Sequence, residues 1–119
     1  MRAKDALGRY GEEVAVRHLR AQGIVVLERN WRCESGEIDI VGRDGGVLVI
    51  CEVKTRSGLA YGSPLEAVSR AKGARLRRLA ARLLEERGLR PAAVRFDVVG
   101  VLHTGRGAPS VEHVRDVLL

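Results

Sequence analysis

Three charged residues stand where an apolar strand pattern should exclude them. Ile38-Asp39-Ile40 sets a carboxylate between two β-branched residues, and the apolar run from Val47 ends in Glu52-Val53-Lys54. Side chains alternate across a strand, so Glu52 and Lys54 share one face while Val47, Val49, Cys51 and Val53 share the other. Charges there cost burial energy unless they have partners. Asp44-Gly45-Gly46 is a tight-turn signal, and the hairpin it predicts brings Asp39 alongside Glu52. Two carboxylates held close repel each other unless a cation or proton is shared between them. A magnesium ion, which takes one or two carboxylates and keeps several waters, resolves that conflict. It can activate water and stabilise charge on a phosphate. The Lys54 ammonium beside it can orient the nucleophile or stabilise the transition state. The competing reading is a structural ion-pair cluster of Asp39, Glu52 and Lys54.

Other charged residues are weighed the same way. Lys72 falls in helical phase with Leu65, Val68, Leu76, Leu79 and Leu83, inside an apolar stripe. A lysine there must snorkel or meet a carboxylate or phosphate, and a substrate-facing role is expected. Arg56, just past Lys54, is a second candidate for phosphate contact, with an exposed strand-end arginine as the alternative. Glu12 and Glu13 sit on opposite edges of the first apolar helix stripe, and helix geometry does not choose between them. Asp97, in an apolar strand, is expected to pair with an arginine. His18, His103 and His113 lack ligand-like spacing and read as surface or structural residues.

These residues need elements to position them. Ala3, Ala6, Leu7, Tyr10, Val14 and Ala15 mark one face of a first helix, ended by Gly23. A strand from Ile24 toward Trp31 follows, then the hairpin of Glu37–Val41 and Val47–Lys54. The second strand is apolar on both faces and so reads as central. After a loop at 56–62, Ser63-Pro64-Leu65-Glu66 is a capping box that predicts the start of a long helix, which Gly88 and Pro91 end. The box accounts for Glu66. Val94–Leu102 reads as a strand, and Ser110–Val114 as a short last one. The fold class expected is α/β: a mixed sheet flanked by helices, in the order α-β-β-β-α-β-(β).

The 119 residues suit one domain, 1–119. A hydrophobic share of 45% with 30% charged residues fits a globular chain rather than a disordered one. The net charge of +6, nearly all arginine, favours a polyanionic partner, with a basic solvated surface as the alternative. Cys33 and Cys51 form no CxxC pair, which argues against a zinc site or disulfide framework and fits a reducing cytoplasm. No apolar run approaches the roughly 20 residues of a membrane span, and no signal-peptide pattern opens the chain.

Together, Gly36-Glu37-Ile38-Asp39-Ile40-Val41 and Glu52-Val53-Lys54-Thr55-Arg56 resemble the PD-(D/E)xK motif of the restriction-endonuclease-like superfamily, with Ile38 in place of its proline. More closely, the chain resembles the small bacterial YraN-like family. Gly11-Glu12, Arg29-Asn30-Trp31-Arg32, Pro64-Leu65-Glu66-Ala67-Val68 and Phe96-Asp97-Val98-Val99 extend that resemblance over nearly the whole chain. It implies a restriction-endonuclease-like fold, a Mg²⁺ cofactor with Mn²⁺ as substitute, and Asp39 and Glu52 as metal ligands. Lys54 would be catalytic; on their positions alone, Lys72 and Arg56 are the candidates for contact with nucleic acid. A further likeness to archaeal Holliday-junction resolvases favours Glu12 as a third ligand, DNA over RNA, and a homodimer. The function expected is metal-dependent phosphodiester hydrolysis in structured nucleic acid. The alternatives are a nucleic-acid-binding module with a vestigial site and a protein-interaction subunit using its basic helix.

Overall fold

The computed structural model describes residues 3–57 and 69–117. Its elements are α1 (Ala3–Ala21), β1 (Val25–Cys33), β2 (Gly36–Asp44), β3 (Val47–Ser57), α2 (Arg70–Arg87), β4 (Ala93–His103) and β5 (Ser110–Val114). The strands form one sheet in the order β1-β2-β3-β4-β5. The first three pair antiparallel, β3 and β4 run parallel, and β5 returns antiparallel. A parallel step needs a crossover connection, and α2 lies within it. This is the mixed sheet flanked by helices that the patterning predicts, with the fifth strand present.

The core has two halves, one on each face of the sheet. Trp31, Ile38, Val41, Leu48, Ile50 and Phe96 pack with Leu76, Leu79, Ala80 and Leu83 of α2. Ile40, Val49, Cys51, Val99 and Val101 pack with Ala15, Val16 and Leu19 of α1. Leu48 and Ile50 thus feed one half while Val49 and Cys51 feed the other. That is why β3 reads as apolar on both faces.

Burial of α1 is concentrated in its later turns. Ala6, expected on the apolar face, is exposed, whereas Val16 and Leu19 are fully buried. Gly11 sets how closely the helix approaches the sheet. A Cβ there would stand 1.8 Å from Thr55 Oγ1, so only glycine permits this contact.

The second helix corrects the sequence reading. The capping box at Ser63–Glu66, with Leu65 and Val68, lies outside the described residues. The described helix opens at Ser69, an N-cap with extended backbone (φ −85°, ψ 168°) whose Oγ accepts the Lys72 N–H. With its extended backbone, Ser69 bounds the described helix, which does not continue back through that residue. Gly88, left-handed at φ 64°, ends it as expected. Arg56 and Ser57, expected in the following loop, prolong β3 and pair with Leu102 and His103.

Candidate active site

The site forms where β2 and β3 separate. Their ladder runs from Asp44↔Val47 to Ile40↔Cys51, after which no further pair follows. Ile38 and Ile40 then belong to opposite core halves, so β2 loses its alternation at Asp39. The position opposite Asp39 in β1 is Asn30, between the pairs Arg29↔Ile40 and Trp31↔Ile38. Asn30 has a left-handed backbone (φ 55°), which asparagine tolerates best among non-glycine residues. Asp39 fills the opening: its Oδ2 accepts the Val53 N–H at 2.8 Å, a donor that a paired strand would otherwise have used.

Glu52 and Lys54 leave β3 on the α2 side, as the alternation predicts. Lys54 Nζ stands 3.3 Å from Glu52 Oε1, and Lys72, from the first turn of α2, pairs with the same oxygen. Glu52 Oε2 is buried and has no hydrogen-bond partner among the described residues. These side chains line a cleft of about 310 Å³ with Glu37, Arg75, Leu76 and Leu79. The structure thus brings Asp39, Glu52, Lys54 and Lys72 together.

The electrostatics of the cleft are unbalanced. Burial raises the Asp39 carboxyl to about 6; the Val53 N–H opposes the shift, and the charges of Glu52, Glu12 and Glu37 add to it. Burial and the adjoining Lys72 ammonium hold Lys54 below the ordinary lysine range. Burial works most strongly against the charged form of Lys72, but its bond to Glu52, its contact with Lys54 and the charges of Glu52 and Asp39 together outweigh burial and leave it raised.

Glu12 opens on an adjoining pocket of about 250 Å³, which it lines with Val53, Lys54 and Arg56. Its Oε1 accepts from Asn30 Nδ2 at 3.1 Å, and its charge reaches Asp39. Glu13 instead pairs with Arg29 at 3.0 Å. Of the two glutamates, Glu12 is the one beside the cleft. Arg56 is exposed at the end of β3, its Nη1 3.3 Å from the Thr55 carbonyl. Among the described residues, no three His, Cys, Asp or Glu side chains converge as a ready-made ion cage. What the cleft offers a cation is two neighbouring carboxylates with one unpartnered oxygen. That donor set fits a hard ion which keeps most of its waters.

The sequence reading gave no site role to two residues. Asn30, quoted only within the Arg29-Asn30-Trp31-Arg32 resemblance, carries the strand irregularity and the Glu12 contact. Arg75, one turn after Lys72, counted only as part of a basic helix.

Asp97, on β4, pairs with Arg95 as expected, at 2.9 and 3.0 Å. His113 Nε2 at 2.8 Å and the Asp116 N–H at 3.0 Å complete its shell. Burial pushes this carboxyl up, but these donors prevail and hold it below the usual range. His113 in turn meets His18 at 3.1 Å, and His103 stacks edge-on against Tyr10, so the histidines are structural.

The sequence model of the uncharacterised protein family UPF0102 matches residues 11–101, from the glycine of α1 through β4. The chain belongs to the UPF0102 family. A UPF0102 protein of Beutenbergia cavernae is 62% identical over 117 residues, covering 98% of this chain and 99% of that one. One from Nocardioides is 60% identical over 114 residues, covering 96% and 92%. One from Streptomyces coelicolor is 58% identical over 119 residues, covering 98% and 92%. The UPF0102 match spans every residue of the cleft. Among the described residues, no UPF0102 helix here is long and apolar enough to cross a membrane.

Proposed function

We propose that this protein is a metal-dependent phosphodiesterase acting on nucleic acid. Asp39 and Glu52 would hold a Mg²⁺ ion, for which Mn²⁺ can substitute, and Glu12 would complete the shell through water. The ion would supply an activated water and charge stabilisation at the phosphate. Lys54 would assist the attacking water, while Lys72 and Arg56 would contact the phosphate backbone.

The observation that carries the reading is the state of the paired carboxylates. Asp39 is raised to about 6 in a cleft whose other carboxylate keeps a buried, unpartnered oxygen. A divalent cation relieves both at once. A perturbed aspartate beside a lysine in a cleft is the arrangement expected of catalysis. The restriction-endonuclease-like resemblance of the same residues points the same way, and it also favours DNA and a homodimer.

A nucleic-acid-binding module without cleavage is the second reading. It is favoured by one observation: Glu52 Oε1 already pairs with two ammonium groups.

The test is a cleavage screen over branched, flapped and single-stranded DNA and RNA with Mg²⁺ or Mn²⁺, paired with binding measurements at graded salt. Cutting that EDTA abolishes supports the nuclease. Binding without cutting, with log K falling at about 0.9 per phosphate contact on duplex DNA, gives the binding module. Neither cutting nor binding leaves a protein-interaction subunit using the arginines of α2.

A further inference from the structure

Lys72 stands where local rules disfavour it. It is the third residue after the N-cap Ser69, the position a capping box gives to glutamate, and the first turn of α2 carries no acidic residue. A cation there opposes the helix dipole. Its phase also directs it inward, with Leu76 and Leu79, so that only 23% of its side chain is exposed. Two unfavourable placements of one side chain need a compensating anion. Glu52 Oε1 is that anion.

The same contact obstructs the proposed metal site. Oε1 already receives Lys54 and Lys72, and a divalent ion at the free Oε2 would sit beside two positive charges. If both ammoniums stay in place, Lys54, Lys72 and Arg75 already face Glu37, Asp39 and Glu52 across the cleft before any ion enters. A nucleic-acid phosphate changes this balance. Lys72 lines the open cleft one turn before Arg75, on a flexible four-carbon stem.

We propose that Lys72 is an exchangeable counter-ion. It holds Glu52 while the cleft is empty and passes to a backbone phosphate when nucleic acid enters, which opens Glu52 to the divalent cation. The idea rests on the metal-dependent reading above and adds a coupling to it: metal and phosphodiester bind cooperatively, each clearing the charge that opposes the other. The free protein then binds metal weakly and is guarded against metal-loaded activity without substrate.

Calorimetry with Mn²⁺ tests the coupling, alone and with a short phosphorothioate DNA that resists cleavage. The proteins are wild type, Lys72→Ala, Lys72→Met and Glu52→Gln, with thermal melting recorded for each. Lys72→Met keeps the apolar stem against α2 should Lys72→Ala fold poorly. In wild type the DNA should tighten Mn²⁺ binding on the order of tenfold. Both Lys72 variants should bind Mn²⁺ more tightly than wild type without DNA, and adding DNA should change them little. Glu52→Gln should lose the Mn²⁺ signal throughout. If folded Lys72 variants bind Mn²⁺ no better than wild type, or retain the full DNA effect, the exchange is wrong while the metal site stands. If no protein binds Mn²⁺ with or without DNA, the exchange and the metal-dependent reading fall together.

Discussion

Asp39→Asn should make the protein more stable, and the gain should depend on pH in a defined direction. Asp39 is partly buried, and its carboxyl is raised from 3.8 to about 6. A raised carboxyl binds its proton more tightly in the folded state than in the unfolded chain. Folding therefore carries no penalty from Asp39 below about pH 4, an increasing one as pH rises toward 6, and the full penalty above that. At 1.36 kcal/mol per unit, a shift of about two units costs about 3 kcal/mol at neutral pH. Asparagine keeps an oxygen for the Val53 N–H, so the 2.8 Å bond that closes the gap between β2 and β3 survives. The variant should then melt about 10 °C above wild type near pH 8 and within a degree or two of it near pH 4. The assay is thermal or urea unfolding of both proteins across pH, with EDTA present. Repeated with saturating Mn²⁺, it should narrow the gap, because the ion stabilises only the protein that binds it. A less stable Asp39→Asn near pH 8, or a difference indifferent to pH, would refute the claim that the Asp39 charge is held against its preference.

Three further outcomes test neighbouring parts of the argument. Lys54→Ala should lower single-turnover cleavage by roughly two to three orders of magnitude while melting and nucleic-acid affinity change little. Lys54→Arg should also be poorly active, since a planar guanidinium misplaces the charge. Gly11→Ala should destabilise by about 1–3 kcal/mol in denaturant titrations, because its Cβ meets Thr55 Oγ1 at 1.8 Å; Thr55→Ala should recover part of that loss. Asn30→Gly should keep its stability, glycine accepting the left-handed backbone, yet lose activity with the Glu12 contact; Asn30→Ala should lose both, the backbone alone costing about 1–2 kcal/mol.

The residues that violate the local pattern were the legible ones. Asp39, Glu52 and Lys54 interrupt apolar strands, and Lys72 interrupts an apolar helix stripe. Each violation needed a partner: Glu52, Lys54 and Lys72 pair with one another, and Asp39 takes the Val53 N–H. The order of elements was legible because a tight turn, a strand apolar on both faces and the Gly88 stop are local signals. The start of α2 was not. Ser69 has Lys72 where a cap would favour glutamate. Tertiary pairing with Glu52 outweighs that local preference. The choice between Glu12 and Glu13 was equally out of reach. Both border the apolar stripe, and what separates them is a left-handed Asn30 in a different element.

The contrast between two aspartates of this sheet, Asp39 and Asp97, bears most directly on function. Asp97 receives two bonds from Arg95, one from His113 and one from the Asp116 backbone, and its carboxyl is held below the usual range. That is how a fold stabilises a charge it needs for its own structure. Asp39 receives one backbone bond, faces the charges of three glutamates and is raised to about 6. Both aspartates lie on neighbours of the same central strand, so the chain can satisfy a buried carboxylate when stability is the only demand. At Asp39 it does not. The β2–β3 ladder stops there, an asparagine takes a left-handed backbone opposite it, and a lysine is placed against a helix dipole to reach the adjacent Glu52. Departures from local preference that converge on one cleft, with a raised aspartate and one buried unpartnered glutamate oxygen, are the features on which the proposed cation site rests.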